Sequence, residues 1–440
     1  MKLDEYFDYI EEFERINDLN LIKINDYNIW HLIKVSLFNL SNRDHFEHFS
    51  KKPHNFLNIN IIKNLLYKPS IPTRIFAFTP RLRVLYKGKK VNKFLNFLPE
   101  NNYETTFFEL PSNSPIIQNN NEIVIPMEKI MLYIIFMEKI INRKIRKELI
   151  NIFSQMKNKE YIMKNINYLS LYVSRYISSI NFFKNYFKKY KPDIIFFVCH
   201  YCTINKGIIA VANEMNIPTV DIQHGLINKK SPGYISKTNL SNDIPKYLIL
   251  YGNFFKEIIL NNSTLFEEKN IIVAGNYFLS NIFDKKEMNR DDVLLITTQP
   301  AIEKEAYEKI INEANRMKLK VKLKIHPSES REKYLGFKNV EIISDKNLYD
   351  LLPKIKYHAT VFSTSAIESL YFGVPNIIIP WKGYENQLDF LIDNETSILY
   401  NKPLEIIIKM LKSKKAIEKG KYFFQDWNQE KIDELLKVIL

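Results

Sequence analysis

A chain of 440 residues with 46% hydrophobic residues and a net charge of +14 is too long for a single core of ordinary size, so we expect two domains. Its two cysteines, Cys199 and Cys202, exclude a disulfide framework and a structural zinc site, and this usage is typical of a reducing cytoplasm. The N-terminus lacks an apolar signal segment, and the apolar run at 130–137 is too short to cross a bilayer, so we expect a cytoplasmic protein.

Lys and Arg concentrate in three segments, at 74–93, 139–159 and 184–191. In the last two segments they alternate with Ile, Leu, Phe and Tyr at roughly helical spacing. Such helices either rest on an anionic membrane surface, here the inner face of the cytoplasmic membrane, or present a solvated face. No zinc-finger, RNP-type or helix-turn-helix motif occurs, which argues against a nucleic-acid partner.

The first half of the chain predicts an N-terminal helical region, residues 1–60, and a first α/β domain, residues 61–240. His31, in the helical region, is interpreted as an ordinary packed residue. The domain opens with a strand at 74–80, and the basic turn after it, with Arg81 and Arg83, either faces a ligand cleft or is solvated. Residues 127–190 contain neither Gly nor Pro and have helical spacing, which predicts a helical insertion.

A pattern of strand, helix and strand follows at 194–200, 207–216 and 219–223, which predicts a βαβ unit and a parallel sheet. His200 and His224 follow its two strands, at the edge where open α/β sheets bind ligands. The pattern favours a functional role for His224, which precedes Gly225. For His200 a structural role remains open.

Residues 225–243 are rich in Gly, Ser, Pro and Asn and are predicted to link the two domains. The second domain, residues 241–415, is expected to begin with strands at 247–252 and 271–276. It continues with alternating strands and helices of a second doubly wound sheet. Residues 416–440 are predicted to form a C-terminal helix.

The second domain contains two polar motifs that follow strands. His326 and Pro327 end the strand at 321–327, and a turn of hydroxyl residues precedes a short helix near 365–372. A helix that begins with unpaired N–H groups and hydroxyls is suited to bind an anion such as phosphate. The segment from Ser365 to Glu368 also fits a capping box, which needs no ligand.

Three segments together resemble glycosyltransferases of the GT-B architecture: DIQHG at 221–225, KIHPSE at 324–329 and FSTSAIESLYFGVPNIII at 362–379. The HP motif followed by the Ser/Thr-rich motif resembles bacterial polysialyltransferases, capsule Kdo-transferases and CDP-glycerol glycerophosphotransferases, and the His-Gly turn at 224–225 is similar to one in the last group. The resemblance covers the chain from about residue 74 onward. It implies an α/β fold of two Rossmann-like, doubly wound domains that face a cleft. The acidic-acidic-Gly motif of polysialyltransferases is missing, so the resemblance does not identify the catalytic base.

A glycosyltransferase must stabilise the negative charge that develops on the departing nucleotide phosphate. The sequence has no D-x-D triplet to hold a metal ion, so we expect fixed donors and no cofactor. His326 is expected to donate to the phosphate, and Glu368 resembles the acidic residue that binds the nucleotide ribose. The candidate donor-binding residues are Thr298, Gln299, His326, Pro327, Ser363, Thr364, Ser365 and Glu368.

An inverting transfer also needs a general base for the acceptor hydroxyl, and the acceptor of a GT-B enzyme usually lies against the first domain. His224 is the first candidate because imidazole titrates near neutral pH. Asp221 and His200 are held in reserve. A retaining transfer would need no base at this position, and the sequence leaves both stereochemical outcomes open.

These expectations describe a bacterial glycosyltransferase that uses a nucleotide-activated sugar, with a CMP-linked acidic sugar favoured. Its acceptor would be a surface glycan or glycolipid, such as capsule or lipo-oligosaccharide. Two enzymatic alternatives are a polyol-phosphate transferase of the CDP-glycerol type and a UDP-sugar 2-epimerase. A third alternative is a non-catalytic, glycan-binding member of a polysaccharide assembly complex.

Overall fold

The computed structural model of the protein describes residues 3–41, 64–65, 67, 72–86, 88–112, 114–282, 290–300, 302–387 and 389–440. Part of the predicted N-terminal helical region, residues 42–60, lies outside the described residues. The described residues form two parallel sheets, two antiparallel hairpins and surrounding helices.

The strands, in chain order, are β1 Lys23–Ile24, β2 Tyr27–Asn28, β3 Ile75–Thr79, β4 Arg83–Tyr86, β5 Lys89–Asn92, β6 Thr105–Glu109, β7 Glu122–Pro126, β8 Ile194–Val198, β9 Thr219–Ile222, β10 Tyr247–Leu250, β11 Ile271–Val273, β12 Asp291–Thr297, β13 Lys320–Lys324, β14 Val340–Ile343, β15 Ile355–Thr360, β16 Asn376–Ile378 and β17 Ser397–Leu399.

The α-helices are α1 Leu3–Ile16, α2 Trp30–Ser41, α3 Phe97–Glu100, α4 Glu128–Ser154, α5 Glu160–Lys164, α6 Ile166–Tyr190, α7 Thr203–Glu214, α8 Asn253–Asn262, α9 Tyr277–Ile282, α10 Glu305–Arg316, α11 Leu348–Leu351, α12 Ser365–Tyr371, α13 Tyr384–Gln387, α14 Leu404–Met410, α15 Ser413–Phe423 and α16 Gln429–Ile439.

Both large sheets are parallel throughout. The first has seven strands in the order β11-β10-β9-β8-β3-β6-β7, and the second has six in the order β14-β13-β12-β15-β16-β17. β3 and β8 are buried at every position, because helices cover both faces of the sheet. The predicted fold class, two Rossmann-like domains with an N-terminal helical region, is confirmed.

The prediction that the strands near 247–252 and 271–276 belong to the second sheet is wrong. β10 pairs with β9, and β11 pairs with β10, so both strands extend the first sheet. The chain passes from one sheet to the other between Val273 and Asp291. Strand pairing is decided by contacts between distant segments, which the local pattern of apolar residues does not contain.

The segment 225–243 is also not the predicted linker, because it connects β9 to β10 within the first sheet. It is fastened to the N-terminal helices by buried polar contacts. Lys206 Nζ contacts Nδ1 of His31 at 2.7 Å and Oδ1 of Asp243 at 2.6 Å, and Nε2 of His31 contacts the carbonyl of Pro232 at 2.9 Å. Burial and the neighbouring Lys206 lower the pKa of His31 well below its ordinary value. Its neutral ring is therefore a buried structural link.

Arg81 and Arg83 of the basic segment after β3 neither face a cleft nor are solvated, whereas Lys89 and Lys90 of the same segment are exposed. Arg81 is fully buried and pairs with Glu109 at 3.1 Å and Glu128 at 3.0 Å. Arg83 pairs with Glu109 at 2.6 Å and Glu122 at 2.8 Å. These two cations form an ion-pair network that joins the turn after β3 and the start of β4 to β6, β7 and α4.

The predicted helical insertion at 127–190 corresponds to α4, α5 and α6, which cover one face of the first sheet. The predicted C-terminal helix is two helices with different partners. α15 packs closely on α12 of the second domain, where a Cβ on Gly420 would lie 2.3 Å from the Leu370 carbonyl oxygen. α16 covers the other face of the first sheet through Ile432, Leu435 and Leu436. Among the helices that the structure describes, none combines the length and apolar character that a bilayer-spanning segment requires.

Candidate active site

His224 lies in a turn that follows β9 at the carboxyl edge of the first sheet. Gln223 holds this turn, since its side chain accepts from the N–H of Tyr251 and donates to the Gly225 carbonyl, both at 2.9 Å. Nε2 of His224 is 3.2 Å from the hydroxyl of Tyr201. Its Nδ1 is buried and has no hydrogen bond of ordinary geometry in the described part of the chain, although the nearby Ile222 carbonyl favours a proton on the ring.

Burial lowers the pKa of His224 below its ordinary value, and the charge of Asp221 opposes that change only in part. A lowered pKa leaves the imidazole neutral at neutral pH. If Nδ1 carries the ring hydrogen, Nε2 accepts from the Tyr201 hydroxyl, and this hydroxyl must turn away before Nε2 can take a proton from a substrate. His224 thus has both the protonation state and the partial exposure that a general base requires.

His200 and Asp221 form a closed pair beneath this turn. Nδ1 of His200 is 2.8 Å from Oδ2 of Asp221, and Nε2 is 2.9 Å from the carbonyl of Gly233. Asp221 also accepts from the backbone N–H of His200 at 2.9 Å and from Tyr234 at 3.0 Å. Both side chains have no solvent exposure. Both ring nitrogens of His200 face acceptors inside the protein, and this buried arrangement supports the fold around His224.

The His326 turn follows β13 in the second sheet. Glu329 organises it by accepting from the hydroxyl of Thr298, from Lys333 at 2.8 Å and from Tyr334 at 2.6 Å. The backbone N–H of Ser328 donates to Nδ1 of His326 at 3.2 Å, so the ring proton belongs on Nε2. Burial lowers the pKa of His326, which keeps the ring neutral with Nε2–H as a donor.

The hydroxyl turn between β15 and α12 is organised differently from the predicted capping box. Ser365 is buried, and its hydroxyl is 2.9 Å from that of Thr297. Ser363 instead accepts the backbone N–H of Ser365 at 3.2 Å. Gln299 accepts the N–H groups of Phe362 and Ser363 at 3.2 and 2.9 Å when its amide oxygen faces the turn. Thr364 is exposed at the start of the helix.

A buried polar network supports this turn from below. Nε2 of His358 is 3.0 Å from the Thr297 hydroxyl, and Nδ1 is 2.7 Å from Oδ1 of Asn376. Asn376 in turn donates to the Ala366 carbonyl at 2.8 Å. Burial lowers the pKa of His358 to about 4, so the ring is neutral and links β12, β15, β16 and α12.

Glu368 lies where the two domains meet. Tyr349 donates to Oε1 of Glu368 at 2.9 Å and is 3.1 Å from Nζ of Lys93, which belongs to the first domain. Burial first, and then the charge of Glu368, raises the pKa of Tyr251, which follows β10 of the first sheet. This contact, from Lys93 through Tyr349 to Glu368, is called the domain bridge below.

The structure brings most of the predicted donor-binding residues to one edge. Thr298 and Gln299 follow β12, His326 follows β13, and Ser363 follows β15, and these three strands are neighbours in the second sheet. Pro327 is exposed in the same turn as His326. His200 and Asp221 are directed into the fold instead.

Sequence reasoning did not find Lys93, Tyr201, Tyr251 or Tyr349. Each is a single residue outside the recognisable motifs, and only the basic segment at 74–93 gave any signal for Lys93. In the residues that the structure covers, no three His, Cys, Asp or Glu side chains are grouped as a metal ion would require. Metal independence remains a prediction.

A separate cavity of about 470 Å³ lies between α1, the loop near 229–237 and α8. Its polar wall includes Lys34, which donates to Glu14 at 3.0 Å and to Ser236 at 2.6 Å. None of the candidate catalytic or donor-binding residues lines it, so it is distinct from the edge described above.

No protein-family model and no curated protein sequence matches the chain significantly. Solved structures that align with it include the UDP-GlcNAc 2-epimerase from Methanocaldococcus jannaschii, at 14% identity over 83% of this chain and 100% of that chain, with a TM-score of 0.49. The glycosyltransferase of kitacinnamycin aligns at 10% identity over 83% and 99%, also with a TM-score of 0.49. CalG4, the calicheamicin glycosyltransferase, aligns at 12% identity over 83% and 98%, again with a TM-score of 0.49. Likenesses at this level assign neither an activity nor a residue role to this chain.

Proposed function

We propose that the protein is a glycosyltransferase of the GT-B type, which takes a nucleotide-activated sugar and extends a cell-surface glycan or glycolipid. A CMP-linked acidic sugar is the favoured donor, and capsule or lipo-oligosaccharide is the favoured acceptor class, at the inner face of the cytoplasmic membrane. The observation that carries this proposal is the domain bridge. It joins the two domains next to Glu368, and this contact supports the proposal that the His326 and hydroxyl turns and the His224 turn serve one cleft.

On the donor side, the bond that breaks joins the anomeric carbon to a phosphate oxygen. The electron pair leaves with the nucleotide, and neutral donors must stabilise it. Nε2–H of His326 and the exposed Thr364 would do so, while Gln299 and Ser365 would hold the turn from within. Glu368 would accept from the ribose hydroxyls with Tyr349 as its fixed second partner.

On the acceptor side, a glycan hydroxyl forms the new bond to the anomeric carbon. His224 would take its proton at Nε2, and Tyr201 would orient the ring. The buried pair of His200 and Asp221 contributes by fixing the turn, and the carboxylate of Asp221 favours the imidazolium that forms, whereas His200 opposes it. We therefore assign His200 and Asp221, the reserve candidates for the base, as positioning residues and His224 as the base, with inversion as the proposed stereochemistry.

The first experiment measures which nucleotide raises the melting temperature of the purified protein, using CMP, CDP, UDP and GDP. A ligand that binds only the folded state at a hundred times its Kd adds about 2.7 kcal/mol of stability. We expect CMP to give the largest shift. His326→Ala should remove the shift, whereas His326→Gln, which retains an N–H donor, should restore part of it.

Turnover then separates the enzymatic alternatives. Transfer from a CMP-sugar to an acceptor glycan supports the proposal, and transfer of glycerol phosphate from CDP-glycerol would assign the chain to the polyol-phosphate transferases. Interconversion of a UDP-sugar without acceptor would assign it to the 2-epimerases. If no nucleotide or nucleotide sugar changes the melting temperature, the glycosyltransferase proposal is refuted and glycan binding without catalysis is favoured.

A further inference from the structure

The helix α4 has two faces of different composition, and one of them is packed against the protein. Its buried side chains include Ile130, Ile134, Ile145, Leu149 and Phe153, and they share a core with α6 and the first sheet. This face anchors a helix of 27 residues along most of its length. The opposite face is therefore held in place without help from any partner molecule.

The opposite face exposes large apolar side chains. Leu132 is 48% exposed, Phe136 is 63% exposed and Ile140 is 57% exposed, and these residues follow one another at intervals of four. Tyr133 beside them is 44% exposed. Isolated exposed apolar residues are normal, but a row of them on one helix face marks a surface that another molecule covers.

Cations continue the same face. Five exposed side chains between the middle and the end of the helix are basic: Lys139, Arg143, Lys144, Arg146 and Lys147. The acidic residues of α4 do not neutralise them. Glu128 and Glu138 are buried in ion pairs with arginines, and only the half-buried Glu148 lies near one of the exposed cations, Lys144, at 3.7 Å.

We propose that the outer face of α4, from Leu132 to Lys147, lies on an anionic lipid bilayer. At a rise of 1.5 Å per residue, this face runs for about 22 Å, parallel to the membrane surface. Phe136 and its apolar neighbours enter the boundary between headgroups and acyl chains, and the cations contact lipid phosphates. Apolar and basic residues share one face here, which is the pattern of an interfacial helix. The inference rests on this face alone and does not depend on the proposed reaction.

The test uses the full chain and sedimentation with vesicles of phosphatidylcholine, either alone or mixed with phosphatidylglycerol. We expect binding to the mixed vesicles at low salt and little binding to phosphatidylcholine alone. Phe136→Ser should weaken the partition coefficient roughly tenfold or more, because a buried aromatic side chain is lost. Arg143→Gln and Lys147→Gln should each weaken it roughly fivefold, and added salt should reduce their effect.

Leu335→Ser is the matched control, since Leu335 is 61% exposed in the second domain and is expected to leave binding unchanged. Circular dichroism establishes whether each variant is folded. If Phe136→Ser does not fold, the Arg143→Gln and Lys147→Gln variants still test the proposal. Failure to bind mixed vesicles overturns the proposal, as does equal binding by wild type and all α4 variants. Self-association of the wild type without lipid, abolished by Phe136→Ser, would instead identify a second copy as the occupant and also overturn it.

Discussion

The pKa of His358 allows the stability of the second domain to be predicted as a function of pH. The ring is fully buried, donates from Nδ1 to Asn376 and accepts from Thr297 at Nε2. Protonation of Nε2 removes the lone pair that accepts from Thr297, and desolvation disfavours the charge more strongly than the bond from Nδ1 to Asn376 favours it. Protonation must therefore accompany at least local opening of this network. The perturbation is a decrease in pH, applied to the wild type and to His358→Asn.

The magnitude follows from two pKa values, about 4 in the folded protein and 6.5 as the ordinary value. At a pH between these two values, the unfolded chain binds a proton that the folded chain does not. The contribution of His358 to the free energy of unfolding is therefore fully present above pH 6.5 and is lost as the pH decreases. The loss from this one group is about 2 kcal/mol between pH 7 and pH 5, and reaches about 3 kcal/mol near pH 4.

Urea denaturation at a series of pH values measures this loss. Other groups also titrate, including His31, so the useful quantity is the difference between wild type and His358→Asn at each pH. The asparagine retains a donor toward Asn376 but does not titrate. We expect the variant to be less stable at pH 7 and the difference to shrink by about 2 kcal/mol at pH 5. A difference that stays constant over this range would refute the reasoning.

Three further predictions concern the ion-pair network, the helix contact and the candidate base. Arg81→Met should lower the free energy of unfolding by about 3–5 kcal/mol, because it leaves the buried carboxylate of Glu109 with one fewer cation. Gly420→Ala should lower it by about 1–3 kcal/mol, because the new Cβ meets the Leu370 carbonyl. If His224 is the base, the acidic limb of kcat/KM should have its midpoint below 6.5, and His224→Gln should abolish that limb together with most of the activity.

The first two of these predictions each have a control in the chain. Arg74 forms an exposed ion pair with Asp193, so Arg74→Met should change the free energy of unfolding by about 1 kcal/mol or less. Gly336→Ala places its Cβ in open space and should be nearly neutral. Equal effects at the buried and exposed sites would contradict the packing argument. A kinetic midpoint at or above 6.5 would contradict the assignment of a buried neutral base.

The general plan of the fold could be predicted because each piece of it is local. Buried parallel strands are continuous apolar runs, and polar residues follow them at the edge where ligands bind. This placed His224 and His326 correctly after β9 and β13. The same local pattern could not decide that β10 continues the first sheet, because that depends on pairing across the loop at 225–243.

Side-chain roles at the site depended on neighbours that are distant in sequence. The sequence predicted that Ser365 caps the helix, but its hydroxyl is hydrogen-bonded to that of Thr297 on another strand. The hydroxyl of Ser363 instead accepts from the backbone N–H of Ser365 at the start of the helix. Arg81 looked like a candidate for the cleft, yet Glu109 and Glu128 reach it from two other elements. A sequence motif identifies chemical groups at a position, whereas their partners are set by the folded packing.

The path of α16 constrains the order in which the protein can be assembled during synthesis. Ile432 and Leu436 share a core with Ile75 and Val198 of the first sheet, so part of one face of that sheet stays uncovered until the ribosome has made the whole second domain. The first domain to emerge is thus the last to be completed. We expect nascent chains that stop before residue 429 to hold the second domain folded, with the first still sensitive to protease and dependent on chaperones.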